Sequence, residues 1–207
     1  MNVEEYAAAA GITPRRVRAL IEHGAVEATK VGRGWVLDSP VRRPSARRPL
    51  SPESQDALAN ALQHRGLAGL TGHLRARTAA RIRELRASND PSTLLVDWWG
   101  GKKPARENGG TNLVFHALKH NNAFILKRVN DRPTEYLRDP ADLADVVSSE
   151  RTIRGLSRAA LASQAGVDST FVSALEQARP VNSLSDVRKV LRAIDVEPSA
   201  LPSMDVR

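Results

Sequence analysis

The sequence predicts a mainly α protein with one small β-hairpin near its N-terminus. Aromatic residues make up only 4% of the 207 positions while hydrophobic residues reach 41%, so the cores must be built from Ala, Leu, Val and Ile, a palette that suits small helical domains better than sandwiches or barrels. Apolar residues recur at helical spacing, as in Val17, Leu20 and Ile21, in Leu58 and Leu62, and in Leu143, Val146 and Val147. Strand-like segments flanking a tight turn are clearest around Gly32-Arg33-Gly34.

The length allows one large domain or two to three small ones. Cysteine is absent, which removes disulfides and thiolate metal sites and makes a reducing cytoplasm the expected location. The first residues, MNVEEYAAAAG, are acidic and lack the basic and apolar regions of a secretory signal. No apolar run approaches membrane-spanning length, so no membrane partner is expected. The formal charge of +8 favours a polyanion, with nucleic acid ahead of a membrane surface. Its distribution is uneven. Residues 1–139 carry 23 Lys and Arg against 14 Asp and Glu, whereas residues 140–207 carry 8 against 9.

Residues 1–41 read as a first module. Val3 to Ala10 forms a short helix with acidic residues in its first turn, where they complement the helix dipole. Gly11 supplies a tight turn, Thr13 is an N-cap candidate and Pro14 occupies the first helical position. The second helix runs to Glu22 or His23 and buries Val17, Leu20 and Ile21, with Arg15, Arg16 and Arg18 pointing elsewhere; Gly24 ends it. Val26 to Val31 and Trp35 to Leu37 flank Gly32-Arg33-Gly34 as a hairpin with a basic tip. The stretch EEYAAAAGITPRRVRALIEHGAVEATKVGRGWVLD resembles the winged helix-turn-helix of MerR and excisionase-type proteins. The resemblance implies that the second helix enters a major groove. Thr13, Arg15, Arg16 and Arg18 would lie at bases or phosphates, with Lys30 and Arg33 of the wing at the adjacent backbone or minor groove. A small helical domain with a solvated arginine face is the plainer alternative.

Residues 42–52 form a Pro/Arg linker. Arg42 and Arg43, among prolines that block helix and strand, suit sequence-neutral phosphate contact and a plain solvated spacer equally. Residues 53–139 form a helical middle region. Ser51 or Ser54 opens one helix. Thr71 to Ala87 makes another, with Leu74, Ile82 and Leu85 inward and Arg75, Arg77, Arg81, Arg83 and Arg86 outward. A third holds Leu94, Leu95, Trp98 and Trp99, whose tryptophans are expected to pack helices rather than stack bases. Gly100 to Lys103 and Glu107 to Gly110 read as loop, without a Walker pattern. Phe124-Ile125-Leu126 is compatible with a strand or a turn of helix. His116 and His120 have the spacing of a zinc pair, but no third ligand is evident and a solvated or capping role is favoured. No metal or other cofactor is expected. Leu50 to Ser54 and Tyr136 to Pro140 are loosely similar to segments of actinobacterial DNA-binding proteins found beside nucleotidyltransferase-type toxins.

Residues 140–207 read as a second module. An amphipathic helix starts with Leu143, Val146 and Val147. Ser157 caps the next, Gly166 makes the turn, and Asp168 caps a helix with Phe171, Val172 and Leu175 as its apolar positions. A later helix carries Leu184, Val187, Val190, Leu191 and Ile194. The segment LSRAALASQAGVDSTFVSALEQARPVNSLSDVRKVLRAIDVEPSAL closely resembles the Cro/repressor (XRE) helix-turn-helix family. That resemblance implies Ser169, Thr170 and Ser173 at the groove edge and Arg158 and Arg179 on phosphates. Arg158 stands where the family often has Gln, and the acidic balance of the module opposes DNA approach. On the strength of the helix pattern, DNA contact is still weighed ahead of dimerisation or capture of a protein partner.

The expected function is a sequence-specific, double-stranded-DNA-binding transcriptional regulator and not an enzyme, since no nucleophile, carboxylate pair or metal set stands out. An autoregulating antitoxin with a cognate toxin as partner is favoured over a phage-type repressor. An excisionase-like recombination accessory and a protein-binding adaptor are the remaining readings, and a homodimer is a candidate assembly.

Overall fold

Helix caps set most of the element boundaries in the computed structural model, which describes residues 1–38, 41, 48–104, 109–132, 137, 139–197 and 201. In chain order the elements are α1 (Val3–Ala10), α2 (Pro14–Glu22), β1 (Ala28–Val31), β2 (Gly34–Leu37), α3 (Pro52–His64), α4 (Gly72–Ala87), α5 (Pro91–Trp98), α6 (Asn112–Leu118), α7 (Asn122–Asn130), α8 (Pro140–Ile153), α9 (Arg158–Ala165), α10 (Ser169–Glu176) and α11 (Leu184–Ala193). The fold is thus mainly helical with one small antiparallel sheet, whose register pairs Ala28 with Leu37 and Val31 with Gly34. Among the described residues no helix is long and apolar enough to cross a membrane. Arg42, Arg43, Glu107, Asn108, Tyr136 and Arg138 lie outside the described residues.

The chain divides into two compact units, Met1–Ala59 with Ser88–Lys127, and Asn60–Ala87 with Arg128–Arg207. Residues 53–139 contribute to both.

In the first unit, α1 opens with a reciprocal cap: Glu5 N donates to Asn2 Oδ1 at 2.8 Å and Asn2 N donates to Glu5 Oε2 at 2.9 Å. Val3, Tyr6, Ala7 and Ala10 of α1 are buried with Val17, Val26 and Leu37, and Leu20, Ile21 and Trp35 pack at the edge. The hairpin is tied to the chain start, because Leu37 N donates to Met1 O at 2.8 Å. Ser51 rather than Ser54 caps α3, accepting from Ser54 N. Trp98 and Trp99 are both buried, and the Trp98 carbonyl accepts from Leu50 N and from Gln55 Nε2, joining α5 to the start of α3. Gly110 packs directly on Ala59, where any Cβ would collide with the Ala59 carbonyl. Phe124, Ile125 and Leu126 belong to helix α7.

In the second unit, Leu143, Val146 and Val147 of α8 share a core with Leu161, Ala162, Val172, Leu175, Val187, Val190, Leu191 and Ile194. On α8, Glu150 is also buried, with its side chain 1% exposed. Arg86 of α4 donates to both its oxygens at 2.8 Å, and Arg132 donates to Oε2 at 3.2 Å. This corrects the expectation that α4 turns all its arginines outward. Arg86 is nearly buried against α8, and Arg75 is half-buried with donors to Leu67 O and Ser148 Oγ. A forked guanidinium satisfies a buried carboxylate at both oxygens, which is why an inward arginine is tolerated at that position.

Removing one partner of a buried ion pair costs about 3–5 kcal/mol, because the other charge is left uncompensated. Glu150→Ala is therefore expected to lower stability by about that amount. Urea unfolding should show a lower midpoint at unchanged slope. A loss below about 1 kcal/mol, the range of exposed pairs, would show that Arg86 and Arg132 do not depend on this carboxylate.

Candidate nucleic-acid interface

The same short turn is built twice. After α1, Gly11 adopts a left-handed conformation at φ 68°, Ile12 N donates back to Ala7 O at 3.0 Å, and Thr13 caps α2. After α9, Gly166 lies at φ 64°, Val167 N donates to Ala162 O at 3.0 Å, and Asp168 caps α10. Each turn is a left-handed glycine, an apolar residue and an N-cap in succession. Glycine reaches that φ without a Cβ penalty, the apolar residue anchors the turn to its core, and the cap starts the second helix.

The second helix of the first pair is basic. Thr13 Oγ1 accepts from Arg16 N at 3.3 Å, so its hydroxyl serves the helix start. Arg15 and Arg16 are exposed. Arg18 is also exposed but faces α1, reaching Glu4 at 3.4 Å. Lys30 on β1 and Arg33 at the hairpin tip are exposed. Among the described residues, Arg15, Arg16, Lys30 and Arg33 have no carboxylate partner, so four cations on α2 and the hairpin are left to solvent or to a ligand.

The second pair is polar and more constrained. Arg158, at the first position of α9, donates from Nε to Glu176 Oε2 at 2.6 Å. Glu176 ends α10, its side chain is 1% exposed, and it is held by Arg151 of α8 at both oxygens. Arg158 itself is half-exposed, so its outer amino groups still reach solvent. Ser169 and Thr170 lie exposed on the first turn of α10. The Thr170 hydroxyl donates to Asp168 Oδ1 at 2.6 Å, and Ser173 Oγ accepts from Gln177 Nε2 at 3.2 Å. Arg179 follows the helix; its backbone N donates to Ala174 O at 3.0 Å, and its exposed side chain has no partner among the described residues. Sequence reading did not single out Glu150, Arg151 or Glu176, because their partners lie between 18 and 64 positions away. Gln177, exposed next to Ser173, is also added to the polar face by the structure.

His116 and His120 do not share a helix face. Helix α6 ends at Leu118, and His120 sits beyond it at φ 53°. The His116 ring stacks instead on Phe124, with centroids 3.7 Å apart. Among the described residues no group of three or more His, Cys, Asp or Glu is placed to hold a metal ion.

No family model, curated protein or solved structure matches the chain.

The Asp168 cap has a pH signature. Hydrogen bonds from the Thr170 hydroxyl and amide hold its carboxyl below the ordinary carboxylate value. For a depressed carboxylate, the contribution is fully present above the unfolded pKa and is lost as pH falls through the folded one. The first turn of α10 is therefore expected to loosen on acidification below about pH 4, the ordinary aspartate range. Amide exchange at Thr170 should report this, and Asp168→Asn, whose amide caps without titrating, should abolish the acid dependence. An identical acid profile in that variant would exclude the cap as its source.

Proposed function

We propose that the chain is a sequence-specific, duplex-DNA-binding transcriptional regulator that reads DNA through two unlike helix-turn-helix units. The observation that carries this reading is the repeated turn. Two short helices joined by glycine, an apolar anchor and an N-cap hold a second helix whose outer face is polar or basic, and that arrangement suits a recognition helix entering a major groove. The first unit adds the hairpin as a wing. Arg15 and Arg16 on α2 suit base edges and phosphates, and Lys30 and Arg33 suit the flanking backbone. The second unit presents Ser169, Thr170, Ser173 and Gln177 as short polar groups for base edges, with Arg158 and Arg179 at phosphates. In this unit Glu176 fixes Arg158 from one side, so it acts as an oriented donor, not a freely swinging cation.

Two different readers in one chain lack internal two-fold symmetry, so a single copy covers an asymmetric, bipartite site, whereas palindromic half-sites require a dimer. Within the regulator reading, the sequence favours an autoregulating antitoxin that acts on its own promoter and has a cognate toxin as protein partner.

Gel shifts on the promoter of the chain's own gene, at two salt concentrations, test the reading. Arginine contacts release counterions, so affinity should fall steeply with salt. Salt-insensitive binding, or none, would rule the reading out. Arg16→Ala is expected to cost about 1–3 kcal/mol and to relax one position of the site. Arg33→Ala should weaken all sequences alike, as loss of a backbone contact does. If neither substitution alters binding, α2 and the hairpin are not the reader.

A further inference from the structure

Helix α4 lies outside both turn units, yet it carries five arginines within twelve residues: Arg75, Arg77, Arg81, Arg83 and Arg86. Three of the five are committed inside their own unit. Arg75 donates to Leu67 O and Ser148 Oγ, Arg83 to Ile153 O, and Arg86 to Glu150 and Val129 O. Arg77 and Arg81 make no hydrogen bond or ion pair among the described residues. They stand four residues apart, hence on one face and about 6 Å apart along the axis. One amino group of Arg81 is covered by protein and left without an acceptor. Burial and the neighbouring charge of Arg77 both act against its protonated form, relieved only in part by Glu84. Like charges at this spacing oppose the helix, and unbonded guanidinium donors are costly where water is excluded. Ala76 and Ala80 are exposed beside the pair, His73 extends the row by one turn, and the half-buried Glu84 borders it on the C-terminal side. Small side chains around two cations allow a polyanion's backbone to approach closely.

We propose that this face of α4 is a sequence-neutral phosphate-contact surface for duplex DNA, with Arg77 and Arg81 as its two donors. The inference rests on the DNA-binding reading and adds a contact made by neither turn unit nor the hairpin. It assigns Arg77 and the remaining, still accessible donors of the half-buried Arg81 to phosphate oxygens, which accept charge-assisted hydrogen bonds from arginine.

The test uses the full chain and a labelled random-sequence duplex, with affinity followed by fluorescence anisotropy across a salt series. Each phosphate contact contributes about 0.9 to the slope of log affinity against log salt. The double variant Arg77→Ala, Arg81→Ala should lower the slope by about 2 and weaken binding at low salt, while the Arg77→Lys, Arg81→Lys variant keeps most of it. Neither side chain bonds another described residue and their like charges oppose the helix, so the double variant should melt no lower than the wild type; Arg77→Ala alone, expected to lower the slope by about 1, serves should the double variant melt early. An unchanged slope and affinity in a wild-type protein that binds duplex overturns the α4 inference and leaves the regulator reading standing. Wild-type protein that binds neither random nor promoter duplex overturns both. Loss of binding to polyglutamate with duplex binding intact assigns the face to an acidic protein and overturns the proposal.

Discussion

Two buried carboxylates, Glu150 and Glu176, organise the second unit. A carboxylate taken out of water costs several kcal/mol unless opposite charge and hydrogen bonds replace its hydration. Each of these is met by two arginines: Arg86 and Arg132 for Glu150, Arg151 and Arg158 for Glu176. Helix α8 is the hub, because Glu150 and Arg151 are consecutive on it. Successive helical residues point about 100° apart, so α8 turns its acid toward α4 and the segment at Arg132, and its base toward α10. Apolar packing alone tolerates sliding between helices, whereas forked arginine–carboxylate pairs admit essentially one geometry. The placement of α10 relative to α8 and α9 is fixed by that geometry as much as by Val172 and Leu175.

This arrangement changes how the basic composition is to be understood. The excess of arginine is a single number in the sequence, but in the fold it separates into two populations. One neutralises buried acids or caps carbonyls: Arg75, Arg83, Arg86, Arg132, Arg151 and also Arg154, which donates to Ile194 O and Asp195 at the end of α11. A cation there also complements the negative end of the helix dipole. The other population, Arg15, Arg16, Arg33, Arg77 and Arg179, stays exposed or unbonded. The charges of Arg86, Arg132 and Arg151 are largely cancelled at short range by Glu150 and Glu176, whereas the second population and the arginines held only by carbonyls or hydroxyls keep their charge for the long-range field.

How much of this was legible depends on the range of the interaction concerned. Caps and turns are local, and Thr13, Ser157, Gly166 and Asp168 occupy the places their residue types suggest. The hairpin was equally readable from Gly32-Arg33-Gly34 and its flanks. Periodicity failed on α4, where arginines occupy positions facing α8 and the pattern of inward leucine and outward charge breaks down. It was also silent at Phe124-Ile125-Leu126, because a short apolar run fits either element until its neighbours are known. The i, i+4 spacing of His116 and His120 carried no information for a similar reason: it places two side chains on one face only while the helix lasts, and the helix stops at Leu118. The buried glutamates were beyond reach altogether, since a Glu on an amphipathic pattern reads as a surface residue until an arginine 64 positions away is brought to it.

The interleaving of the two units carries a consequence for synthesis of the chain. Residues 60–87 leave the ribosome ahead of everything else in their unit, and the first unit closes only when the segment ending at Lys127 follows. Arg86 must wait 64 residues for Glu150, which at ordinary elongation rates of about 5–20 residues per second is roughly 3–13 s. During that interval α4, whose Ile82 and Leu85 are buried in the finished fold, has no α8 to pack against. The chain therefore emerges with α4 ahead of its buried partner, and chaperone access during translation is expected to bear on its yield.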